Sequence, residues 1–267
     1  MKNLLLPAAA IALAAIGCML ASCERGASSQ LENSAREAES TKVVVSTAAS
    51  TQELMETLAV EFAQQSKVTI QVNPGPSSGL AKQIIEGAPA DLLLSASREW
   101  AAKVSAAELV KSSQELLTNR LVLIVPKGNP AAIKGPQDLL SDQVMKIALA
   151  GENVPAGKYA DQALTKLELL ARLTADQKIA RAQDVRGALG FVERGEAEAG
   201  IVYSTDVIAP DVEVVHEFDP SLHDEIVYVL VLLEHGATNA DARSFFEYLQ
   251  SDAANTIYTK AGFSRIK

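Results

Sequence analysis

KVVVSTAASTQELMETLAVEFAQQSKVTIQVNPGPSSGLAKQIIEGAPADLLLS, residues 42–95, decides the fold class. Val43 to Ser46 is a short β-branched run and reads as a strand. Thr51 to Gln65 has helical spacing, with Leu54, Leu58, Val60 and Phe62 apolar. A second strand is predicted over Val68 to Val72, then a helix over Leu80 to Glu86 that Gly87 and Pro89 stop. Leu92 to Leu94 reads as a buried strand and Arg98 to Val104 as a helix. Strands alternating with helices imply a mostly parallel sheet covered on both faces.

Outward from this stretch the pattern restarts. Leu121 to Val125 is a strongly apolar strand ended by Pro126, Gly128 and Pro130. Then come a strand at Ile147 to Ala150, helices at Lys158 to Leu173 and Arg186 to Arg194, and a strand at Gly200 to Tyr203. Glu225 to Leu233 is another long apolar strand, and helices at Ala240 to Gln250 and Asp252 to Ala261 close the chain. The two long apolar strands fit as crossings that form a hinge between two α/β lobes. Lobe 1 is expected to hold 42–120 plus 234–267 and lobe 2 to hold 121–233, each a mostly parallel sheet flanked by helices. Ligands of such sheets sit beyond the carboxyl ends of the strands, and a cleft between two lobes collects several such ends.

The segment before residue 42 reads differently. Met1, Lys2 and Asn3 precede an apolar run from Leu4 to Leu20, which leads into Ala21, Ser22 and Cys23. This is the pattern of a secretory signal peptide over 1–22. Leu20-Ala21-Ser22-Cys23 also resembles the bacterial lipobox, in which lipid is attached to the Cys; a plain secretory signal with an incidental Cys is the alternative. The chain has two Cys, Cys18 and Cys23, so the mature domain would have no thiol for a disulfide, a metal or a nucleophile. Residues 23–41, polar and rich in Ser, Glu and Ala, are expected to form a flexible tether. An extracytoplasmic, membrane-anchored monomer is the expectation. A net charge of −9 and 4% aromatic residues argue against nucleic acid, which needs basic stripes and stacking platforms.

Four predicted strand-to-helix turns carry small or hydroxyl residues that leave backbone N–H groups free: Ala48-Ala49-Ser50-Thr51, Pro76-Ser77-Ser78-Gly79, Val154-Pro155-Ala156-Gly157 and Asp184-Val185-Arg186-Gly187. A helix start has orphan N–H donors and about half a positive charge, so it holds an anion without Lys or Arg. Each turn alone is equally an ordinary helix start; Ser50 with Glu53 fits a capping box, and Asp184 a cap that points away from any ligand. Convergence of several turns would decide, and periodicity does not reveal it. Tyr203 reads as a core aromatic or a phenol donor. Asp91 and Trp100 read as structural, Lys127 and Lys158 as solvated surface lysines or anion-steering groups, and His216, His223 and His235 lack the spacing of metal ligands.

The chain resembles the periplasmic molybdate-binding proteins. The matching stretches are Ala48 to Ser50, Ser77 to Ile84, Gly87 to Leu92, Val154 to Ala160, Asp184 to Leu189 and Gly200 to Tyr203. Asn73 to Pro76, with two prolines around Gly75, departs from the family pattern. The resemblance implies a two-lobed periplasmic binding protein fold and capture of molybdate, and of tungstate as a competitor, for an ABC permease, with no cofactor. It implies that Ser50 and Ser77 give hydroxyl and backbone donors, Ala156 and Val185 backbone N–H groups and Tyr203 its phenol. Such an all-donor set suits a fully ionised oxyanion, which offers only acceptors. Sulfate is an alternative ligand, and a sensor an alternative to the permease.

A rival reading is enzymatic. Gly75-Pro76-Ser77-Ser78-Gly79 matches G-x-S-x-G, the nucleophile elbow, and acids and histidines follow it. Pro76 restricts the tight turn and no HGGG-like oxyanion segment precedes it, so the reading adopted is a binding protein, not an enzyme.

Overall fold

The computed structural model describes residues 42–207 and 211–266. The expected signal peptide (1–22), the lipidation residue Cys23 and the tether (23–41) lie outside the described residues. No helix among the described residues is long and apolar enough to cross a membrane.

The chain opens with β1 (Lys42–Ala48), α1 (Gln52–Ser66), β2 (Thr69–Gly75), α2 (Ser77–Ile85) and β3 (Leu92–Ser95), in which β1 pairs parallel with both other strands. α3 (Arg98–Ala106) and β4 (Val110–Thr118) follow. Asn119 and Arg120 then carry the chain into a second sheet. It contains β5 (Leu121–Pro126), β6 (Ile147–Ala150), α4 (Pro155–Lys166), α5 (Leu170–Ala175), β7 (Ile179–Ala182), α6 (Val185–Glu193), β8 (Ala199–Tyr203) and β9 (Val212–Glu217), with strand order β7-β6-β8-β5-β9. Residues 218–226 bring it back to β10 (Val227–Leu233), after which α7 (Glu234–Ala237), α8 (Ala240–Tyr248), α9 (Asp252–Lys260) and β11 (Ser264–Arg265) complete the first sheet, ordered β11-β4-β10-β3-β1-β2.

Each sheet is parallel where strands and helices alternate and antiparallel where the crossings enter it. β10 runs antiparallel to β3 and β4, and β5 antiparallel to β8 and β9. The sequence reading put Val227–Leu233 at the end of lobe 2, yet the strand sits inside the first sheet. Its seven residues are all buried because alternate side chains feed two cores, Tyr228, Leu230 and Leu232 one and Val227, Val229, Val231 and Leu233 the other. A strand buried on both faces has no alternation from which its lobe can be read. The helix expected over Lys158 to Leu173 is two helices, broken near Glu168, which takes a left-handed φ of 60°. Val60, counted on the apolar face of the first helix, is 59% exposed.

Pro74 does not interrupt β2. The strand lies at the sheet edge, pairs only with β1, and runs through Pro74 to Gly75, opposite Thr47 and Ala48. An edge position spares proline a ladder bond it cannot make. The strand therefore delivers Pro76 as the N-cap of α2 and Ser77 as its first residue.

Candidate functional site

Residues at or just beyond the carboxyl ends of β1, β2, β3, β6, β7 and β8 line one cavity. Ala48 to Ser50 follow β1, Pro76 and Ser77 follow β2, and Ala96 follows β3. The second sheet supplies Val154 to Ala156, Asp184, Val185 and Tyr203. The convergence that the sequence left open is thus present: Ser50, Ser77, Ala156, Val185 and Tyr203 meet, and all five are buried. The cavity volume is about 10 Å³. That is far below the roughly 300–1,000 Å³ of drug-sized sites and leaves room for a small species alone. No Lys or Arg side chain lines it among the described residues.

Three helices begin at this cavity. Ser77 is the first residue of α2, Val185 the first of α6, and Ala156 the second of α4 behind Pro155. The opening N–H groups of a helix have no partner within it, and each start carries about half a positive charge. Proline suits the first position because its missing N–H would have been an orphan. Gly157 lets α4 begin so close to the sheet: a Cβ there would lie 2.2 Å from the Gly151 carbonyl oxygen and 2.4 Å from that of Ala150.

The expected capping box of Ser50 and Glu53 does not form. Ala49–Thr51 make a single 3-10 turn, α1 starts only at Gln52, and no side chain caps it. The Ser50 hydroxyl instead lies 2.9 Å from the Tyr228 hydroxyl, which accepts from Asn119 Nδ2 at 3.2 Å. Either hydroxyl of this pair can donate to the other. Ser77 Oγ accepts from the Ala96 N–H at 3.0 Å, so its own hydrogen is free. The Tyr203 hydroxyl is buried and has no hydrogen-bond partner among the described residues. Burial, reinforced by the nearby Tyr228, pushes this phenol well above its ordinary pKa and keeps it protonated, a donor.

Asp184 caps α6 as expected, its Oδ1 accepting from the Gly187 N–H at 2.9 Å. It was expected to stand away from the site, but the residue also lines the cavity, because it immediately precedes Val185. Asp91 is structural, accepting from the Val44 N–H at 2.7 Å.

Other residues went unread in the sequence. Tyr228 lies in a strand whose residues are all buried, so no pattern singles it out. Asp206 follows β8 in a 3-10 turn, and its Oδ2 accepts from the Tyr203 N–H at 3.1 Å. Its Oδ1 has no hydrogen bond among the described residues and sits 3.5 Å from Arg186 Nε. Burial raises this carboxyl to about 7, against the pull of Arg186. No histidine is hydrogen-bonded to Ser77: His223 Nδ1 contacts the Asp224 carbonyl, His216 packs on Phe218, and His235 faces Asp91.

Residues 43–264 match the family model of the bacterial extracellular solute-binding proteins. The molybdate-binding protein ModA of Haemophilus influenzae is 41% identical over 85% of this chain and 91% of its own length. A Bacillus subtilis protein, provisionally named ABC transporter substrate-binding lipoprotein YvgL, is 38% identical over 83% of this chain and 86% of its own. Among solved structures, the periplasmic molybdate-binding protein of Azotobacter vinelandii superposes with a TM-score of 0.76 over 84% of this chain and all of that one; at 24% identity it speaks for the fold, a two-lobed α/β binding protein. The chain belongs to the bacterial extracellular solute-binding protein family, alongside the ModA proteins it resembles.

Proposed function

We propose that the protein captures molybdate, and tungstate in competition with it, in the cavity between its lobes and hands it to an ABC importer outside the cytoplasm. The observation that carries this reading is the Tyr203 hydroxyl, buried without a partner in a cavity where three helix starts also present N–H groups. A buried donor without an acceptor costs about 1–3 kcal/mol, and an oxyanion would remove that cost. The free hydrogen of Ser77 adds to these donors. A fully ionised tetrahedral anion accepts at every oxygen and donates at none, which fits; a protonated phosphate would want an acceptor. The names of the ModA and YvgL relatives support the ligand and the transport role.

In this mechanism the anion docks on the donors of one lobe, and rotation about the crossings at Asn119-Arg120 and 218–226 brings up the other. Ser50 and Ser77 belong to the first lobe, and Ala156, Val185 and Tyr203 to the second. Each charge-assisted bond is worth on the order of 1.5–3 kcal/mol, so several together give tight capture without a net positive site. Longer bonds to oxygen in molybdate and tungstate would separate them from sulfate by size.

Calorimetric titration with molybdate, tungstate, sulfate and phosphate tests the reading. The first two should bind tightly and the last two should give little heat; tight sulfate binding would change the ligand, and no binding at all would remove the function. The proposal also places a lipid on Cys23, which would keep the domain near its permease. Fatty-acid labelling of the chain should vanish in Cys23→Ser, and labelling that survives would remove the anchor.

A further inference from the structure

The two lobes also touch outside the cavity, where α3 of the first lobe meets the start of α4 of the second. Three bonds cross there. Glu99 forms an ion pair with Lys158, the Trp100 indole N–H donates to the Asn153 carbonyl at 3.2 Å, and the Tyr159 hydroxyl donates to the Ala96 carbonyl at 3.3 Å. Lys158 is thus neither a free surface lysine nor a residue of the cavity.

This contact is built into both sides of the cavity. Ala96 lines it, and its N–H is the donor to Ser77, so one residue joins a hydroxyl of the first lobe to a tyrosine of the second. Asn153, Lys158 and Tyr159 flank Ala156, whose N–H opens on the same cavity. On the other side of the junction Glu99 also takes a hydrogen bond from Lys103 at 2.8 Å, and the Lys103 ammonium lies 3.7 Å from the centre of the Trp100 ring. Hydrogen bonds from Lys103 and then Lys158 hold the Glu99 carboxyl down at about 2, so it is ionised at any physiological pH. Trp100 is only 8% exposed, and a buried indole N–H needs its acceptor.

We propose that Glu99 and Trp100, closing on Lys158 and Asn153, form a clasp that holds the lobes together over the bound oxyanion and sets its rate of release. The proposal rests on the oxyanion-binding reading above. These are positioning residues: they touch the opposite lobe, not the ligand. Because the bonds exist only when the lobes are together, they act after docking, so their loss should speed dissociation and leave association nearly unchanged. The ion pair is partly exposed, with side chains 43% and 47% accessible, so its share is modest and screened by salt.

The test is stopped-flow displacement of bound molybdate by excess tungstate from the full chain, followed by the fluorescence of Trp100, the chain's one tryptophan. Glu99→Gln should release molybdate about two- to fivefold faster in low salt, change association by less than twofold, and lose the salt dependence of release expected of the unmodified chain. The exchange Glu99→Lys with Lys158→Glu should return release toward the original rate, which a mere loss of folding would not do. Trp100→Phe keeps the ring under Lys103 and removes the N–H; followed by equilibrium competition, it should weaken molybdate binding about two- to tenfold. Release rates unchanged in Glu99→Gln, with molybdate still bound, would overturn the clasp alone. Failure of the unmodified chain to bind molybdate would overturn the oxyanion reading and the clasp with it.

Discussion

Tyr203 and Asp206 are joined by a backbone hydrogen bond, yet they answer to different physics. The Tyr203 hydroxyl has no hydrogen-bond partner among the described residues, so its removal should not cost stability. Tyr203→Phe is expected to leave the melting temperature unchanged or slightly higher while weakening molybdate binding about 10- to 100-fold, the worth of one charge-assisted bond; calorimetry and thermal unfolding read the two effects separately. Ser77→Ala differs, because it strands the buried Ala96 N–H, and both stability and affinity should fall, the former by about 1–3 kcal/mol in urea unfolding. Asp206 gives a pH signature. Burial lifts its folded pKa to about 7 from an ordinary value of 3.8, so between those values the folded state holds a proton that the unfolded state has lost. Stability from this group is therefore complete at low pH and is lost as pH rises toward and through 7. Asp206→Asn should flatten that decline in unfolding free energy measured from pH 4 to 8; an unaltered slope would show that the carboxyl is ionised throughout. Of these residues, Ser77 and Tyr203 were legible through the family resemblance. Asp206 and Tyr228 were not, since nothing local marks a polar group whose burial is decided by strands far away in the chain.

At the scale of elements, strands and helices with a distinct period were legible and those without were not. β6, Ile147–Ala150, falls where the sequence puts it, between turn signals and fully apolar. β4 went unread because most of its residues, including Lys111 to Glu115, are exposed and polar, and β11 pairs only with its last two positions. The helix expected from Lys158 starts earlier, at Pro155, and the reason for Gly157 was not visible: it is the neighbouring strand end, not a turn, that forbids a side chain. Gly157→Ala should therefore push α4 away from β6. Expected outcomes are a loss of about 1–3 kcal/mol in urea unfolding, as for overpacked interiors, together with weaker molybdate binding because Ala156 moves with the helix start. A variant with native affinity would mean that the position of this helix start is not critical to capture.

The whole molecule shows what local patterns omit. Two lobes and the alternation of strands and helices followed from apolar runs, but the crossings lie in Asn119-Arg120 and 218–226, beside the two long apolar strands and not in them; nor did the lobe of β10 follow, since a strand buried on both faces fits the centre of either sheet. Convergence of the four turns is likewise a property of the assembled lobes. If capture requires their closure, small-angle scattering should show a smaller radius of gyration at saturating molybdate, and no compaction would count against a hinge. The central claim, that the oxyanion sits where α2, α4, α6 and Tyr203 meet, is tested most directly by a crystal structure grown with molybdate and phased with anomalous data at the molybdenum absorption edge. The expected result is one strong molybdenum peak within hydrogen-bonding reach, through its oxygens, of Ser50, Ser77, Ala156, Val185 and Tyr203. A peak elsewhere on the molecule, or a cavity left without one at saturating molybdate, would contradict it.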